Sequence, residues 1–78
     1  MTANEFLQLL GDTLGLSEKI ELNARRNDIN EWDSMGQIQI LSMLEERFGL
    51  KLEMEDLVAL ESVVDIIRIL NSKNIFFD

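Results

Sequence analysis

The chain has 78 residues, enough for one domain, and a chain this short buries only about 60% of its extended surface, so its core is small. Apolar residues make up 46% and charged ones 28%, a globular balance, and no apolar run approaches the roughly 20 residues that span a bilayer. Fifteen acids against seven bases give a net charge of -8, which disfavours nucleic acid and anionic lipid and favours partners with basic surfaces.

The missing residue types exclude as much. With no Cys there is no disulfide framework and no thiolate metal site, and with no His there is no imidazole base or serine triad. Any thiol chemistry must be brought from outside. The opening Met1-Thr2-Ala3-Asn4-Glu5 lacks the basic start of an export signal, so a cytoplasmic protein without membrane insertion is expected.

In chain order, Thr2 and Glu5 have capping-box spacing, and the apolar repeat that follows predicts a first helix over Ala3–Leu14, C-capped at Gly15, with Phe6, Leu10 and Leu14 inward. From Gly15 to Asp33 the pattern dissolves into turn-favouring Ser, Asn and Asp, with Leu16, Ile20, Leu22 and Ile29 as apolar anchors. Arg25 and Arg26 stand out as a basic pair in that loop, and loop solvation is the simpler account of them. Then Ile38, Leu41, Leu44 and Phe48, widened by Ile40, predict a long amphipathic helix closed by Gly49. Gln37, Gln39, Ser42, Glu45 and Glu46 are assigned to its outer face. Glu53 to Leu60 predicts one or two helical turns, its three early acids serving a helix start better than a metal site. Ser62 and Asp65 cap a last helix with Val63, Ile66, Ile67 and Leu70 inward, ending near Asn71. The tail Phe76-Phe77 either packs back or frays. The sum is a small all-α bundle of three longer helices plus one short helix, with a long first loop.

The junction Glu31-Trp32-Asp33-Ser34-Met35-Gly36 is where chemistry is expected. A serine in the first turn of a helix lies where free backbone N–H groups and the positive end of the dipole favour an anion. Ser34 has two readings, a simple N-cap, for which Asp33 competes, or the bearer of an esterified phosphate. Trp32 either packs to fix the loop or forms part of a landing surface, with packing preferred. Met35 and Met43 fit gap-filling or partner contact.

Asp33-Ser34-Met35, the stripe Ile38, Leu41, Leu44, the helix end Glu45-Glu46-Arg47-Phe48 and Ser62-Val63-Val64-Asp65-Ile66-Ile67 together resemble an acyl carrier protein, Met35 replacing the Leu of the family's Asp-Ser-Leu. The resemblance implies a 4′-phosphopantetheine arm on Ser34, transferred from coenzyme A by a separate phosphopantetheinyl transferase with Mg²⁺, and an acyl thioester carried on the arm's thiol. It also implies docking through Asp33, Met35, Gln39, Ser42, Glu45 and Glu46 to basic patches on activating and transferring enzymes, by a monomer that catalyses nothing itself. Where the fatty-acid pattern has acids two and five positions after the serine, this chain has Gly36 and Gln39, and Arg47 replaces a further acid. That points to specialised partners, and to a gain in affinity for general fatty-acid enzymes if both positions were made acidic.

Asp33-Ser34-Met35-Gly36 followed by Gln39 also resembles the D-alanyl carrier proteins, which keeps an aminoacyl cargo as an alternative. The Gly-Gly that usually precedes the serine region of peptidyl carriers is absent. An unmodified acidic interaction module is the remaining alternative; an enzyme working through carboxylates is disfavoured, because no pair of acids falls in an evident apolar pocket.

Overall fold

The computed structural model describes all 78 residues. Helix α1 spans Ala3–Thr13, α2 Ser34–Phe48, α3 Met54–Val58 and α4 Val63–Ser72, with one 3₁₀ turn at Arg26–Asp28 inside the long loop. The architecture is all-helical, as the periodicity predicts.

Local sequence explains each start. At α1, Thr2 Oγ1 accepts from the Glu5 amide at 3.1 Å and Glu5 Oε1 accepts from the Thr2 amide at 2.8 Å, a complete capping box. At α3 the acids close a similar box, Glu53 N–H donating to Asp56 Oδ2 at 3.1 Å, so these carboxylates serve the helix start. At α4, Ser62 Oγ accepts from the Asp65 amide at 3.1 Å. Helix α2 ends on Gly49 in the left-handed conformation, φ 63°.

The core is built from Phe6 and Leu10 of α1, Ile40 and Leu44 of α2, Leu60 at the α3–α4 junction, and Val63, Ile66 and Leu70 of α4, each about fully buried. Trp32 completes it from the loop. The tail packs back through Phe77, whose ring stacks on Phe6 with centroids 4.3 Å apart and meets Phe48 edge-on at 6.1 Å, while Phe76 points outward.

The long loop is held by backbone as well as by anchors. Ile20 is buried and its amide donates to Leu7 O at 3.2 Å, and Leu16 and Ile29 pack against the core. Leu22, expected as a fourth anchor, is 53% exposed; Ala24 lies against the core instead. Arg25 pairs with Ser62 in an isolated antiparallel bridge, with Arg26 N–H donating to Glu61 O at 2.9 Å and Val63 N–H to Ala24 O at 3.1 Å. This bridge ties the loop before Ser34 to the turn before α4.

The rotation of α2 differs from the predicted one. Gly36, Gln37, Ile40 and Leu44 face inward, Leu41 is half-buried, and Ile38 is 55% exposed. Gln37, assigned to the outer face, is in the core at 6% exposure. The physical reason is that its side-chain amide is fully hydrogen-bonded there, so a polar side chain takes a core position without leaving a polar group unpaired.

Candidate functional site around Ser34

Asp33 resolves the competition for the cap. Its Oδ1 accepts from the Gly36 amide at 2.8 Å and its carbonyl accepts from the Gln37 amide at 2.8 Å, opening α2. Ser34 is therefore the first residue of the helix, exposed, with its hydroxyl released from capping. The amides of Ser34 and Met35 have no carbonyl one turn back, which leaves donors at the positive end of a 15-residue helix.

Gly36 fixes the approach. A side chain there would place its Cβ inside van der Waals distance of the Glu31 carbonyl and 2.9 Å from Leu14 Cδ2. The loop can pass this close over α2 only because the residue is glycine. Gly36 is buried, so it is a packing position and not a vacated acid on the docking face. The expectation that an acid could be placed there is corrected accordingly.

Trp32 packs, at 2% exposure, and its Nε1–H donates to Gln37 Oε1 at 2.7 Å. The Gln37 Nε2 donates to Leu57 O at 3.0 Å and Leu60 O at 3.1 Å, so one amide joins the loop, α2 and the end of α3. Arg26 Nε donates to Trp32 O at 3.2 Å, which holds the guanidinium beside the junction.

Ser34 lies between two depressions. On one side is a polar cleft of about 380 Å³ lined by Arg25, Arg26, Asn27, Trp32, Asp33, Ser34 and Glu61. On the other is a groove of about 400 Å³ with Ile38, Leu57 and Val58 among its walls, shared by Arg26, Ser34 and Gln37. The arginine pair, read from sequence as loop solvation, thus borders the serine, and neither guanidinium is ion-paired within the chain. Two cations and free helix amides beside an exposed hydroxyl fit a phosphate esterified to it. The signal in the sequence was the pair itself, a rarity in so acidic a chain; what places it beside Ser34 is the bridge to Ser62, which no local pattern announces.

Of the other expected docking residues, Met35, Gln39, Ser42 and Glu46 are exposed at intervals of four, three and four, forming one stripe running from the serine. Asp33 is exposed at its head. Glu45 turns aside: it is half-buried and its Oε2 accepts from the Leu52 amide at 3.1 Å.

A small helical bundle with an uncommitted serine opening its longest helix defines a carrier-type domain. Residues 4–70 match the family model described as the phosphopantetheine attachment site, and the chain belongs to that family. Such a domain is the site of covalent 4′-phosphopantetheine attachment, is modified by a phosphopantetheinyl transferase and works with partner enzymes. No curated protein and no solved structure shows significant similarity to the chain. No helix is long and apolar enough to cross a membrane.

Proposed function

We propose that Ser34 is the attachment serine and that the chain is a discrete acyl carrier, presenting an acyl thioester to dedicated partner enzymes in a specialised lipid or secondary-metabolite pathway. The observation that carries this reading is the state of Ser34: exposed, first in α2, relieved of capping by Asp33, and bordered by Arg25 and Arg26. When bound, the arm supplies the thiol that a chain without cysteine lacks. The chain's own part is to hold the hydroxyl outward, to offset the phosphate charge with Arg25, Arg26 and the amides of Ser34 and Met35, and to offer the stripe Met35, Gln39, Ser42, Glu46 for docking. The cytoplasm, where coenzyme A and the transferase meet, is the location this role requires.

Intact mass tests the assignment. Incubation of the apo protein with coenzyme A, Mg²⁺ and a broad-specificity transferase adds one phosphopantetheine, and Ser34→Ala abolishes the addition; an unchanged wild-type mass, with the transferase active on a control, would refute it. An aminoacyl cargo is the second reading, favoured by Asp33-Ser34-Met35-Gly36 with Gln39. Loading by an acyl-activating or an aminoacyl-activating enzyme separates the two.

A further inference from the structure

A chain carried on Ser34 has two places to go: inward, between α2 and α3 into the core, or outward along the surface. Gln37 stands at the inward entrance, one helical turn after Ser34 on the same side of α2. Its amide carries two N–H donors and one carbonyl. All of these are engaged: Oε1 accepts from Trp32 Nε1–H at 2.7 Å, and Nε2 donates to Leu57 O at 3.0 Å and Leu60 O at 3.1 Å. The last two bonds clamp the end of α3 onto α2. Behind the clamp, Ile40, Leu60, Val63 and Ile66 are fully buried against one another.

To enter, an alkyl chain must lift α3 from α2. That breaks both clamp bonds and leaves the Gln37 N–H groups and the Leu60 carbonyl without partners in an apolar setting, and an alkyl chain has no donor or acceptor with which to replace them. We infer that Gln37 is a positioning residue that bars the interior to the cargo, so that an acyl group carried on Ser34 rides outside the bundle, along the groove of Ile38, Leu57 and Val58. This rests on Ser34 being the attachment point. It assigns the carrier short or polar acyl groups, which need no shelter in a core and are handed over from the surface.

The test is to load Ser34 from acetyl-, hexanoyl- and decanoyl-coenzyme A with the transferase, confirm each product by mass, and compare melting temperatures and the methyl NMR shifts of Ile40, Leu60 and Ile66. In the wild type, both readouts stay the same from acetyl to decanoyl. In Gln37→Met, which keeps the length and removes the donors, the core methyls shift progressively with chain length and the melting temperature climbs. Should that variant not fold, Trp32→Phe, which removes the N–H holding Gln37 Oε1 together with part of the buried ring volume, shows the same dependence in weaker form. Chain-length-dependent methyl shifts in the wild type, or a folded, loosened variant without them, would overturn the inference alone. A wild type that gains no mass overturns the carrier reading and this inference with it.

Discussion

At the scale of single residues, Gly36 shows how a position can be read correctly as unusual and wrongly as to cause. From sequence it looks like an acid lost from a docking face; in the fold it is the contact between α2 and the loop at Glu31. Replacing an exposed helical Gly by Ala ordinarily stabilises by about 1 kcal/mol through backbone entropy. Here the new methyl meets backbone, which cannot rotate away as a flexible side chain could, and overpacking of that kind costs about 1–3 kcal/mol or more. The second effect wins. Gly36→Ala should lower stability by about 2 kcal/mol, seen as a melting point lower by roughly 10 °C in a domain this small; a stabilised variant would show that the loop yields. Gln37 was misread for the complementary reason. Hydrophobic patterning assigns polar residues outward, and the three partners that make Gln37 a core residue come from Trp32, Leu57 and Leu60, up to 23 positions away in sequence. Ile38, one residue on, is then carried about 100° round the helix to the surface, beside Ser34.

At the scale of elements, starts and stops were legible because they are local. The box at Thr2 and Glu5, the cap at Ser62 and the terminating Gly49 are each settled by residues within four positions. The loop was legible only in part: Ile20 and Ile29 announce themselves by hydrophobicity, whereas the bridge between Arg25 and Ser62 is made of backbone and leaves no side-chain signature. The α1 box also carries a pH dependence. The Thr2 backbone N–H, then its side chain, hold the Glu5 carboxyl below its ordinary value of 4.5. A lowered folded value means that the contribution of this contact is present above pH 4.5 and is lost as pH falls through the lower value of the folded state. A carboxyl ¹³C NMR titration should therefore place the Glu5 midpoint below 4.5, and Thr2→Ala, which removes the hydroxyl but keeps the backbone N–H, should move it only part of the way back up. A wild-type midpoint at or above 4.5 would show that the box does not persist in solution. Because Glu5 is exposed, this effect belongs to the fraying of the first turn of α1 and not to global unfolding.

For the whole molecule, fold class followed from helical periodicity and from the lack of any disulfide or metal alternative, while the partners follow from charge, which patterning does not locate. The net charge of -8 is spread over a body of 28 × 27 × 20 Å that contains only two ion pairs, Arg68 with Asp65 at 3.0 Å and Lys73 with Asp56 at 3.9 Å. At about 0.01 M salt the screening length is about 30 Å, longer than the molecule, so every excess acid repels every other; at about 0.15 M it is about 8 Å and only neighbours interact. Salt also weakens the two ion pairs, but pairs that solvent still reaches, as it does both of these half-buried to exposed ones, contribute only about 1 kcal/mol each. Relief of repulsion is the larger effect, and the melting temperature should rise by several degrees between those two salt concentrations, about 1 kcal/mol corresponding to roughly 4–8 °C. Docking should respond with the opposite sign, because attraction between an acidic carrier and a basic partner surface is screened by the same salt. Calorimetry of the carrier alone, paired with association rates for its transferase across the same salt series, therefore tests both consequences of one charge distribution. A melting point that falls with salt would show that local ion pairs outweigh the net charge in this fold, and a rising association rate would mean that the transferase does not recognise the acidic surface.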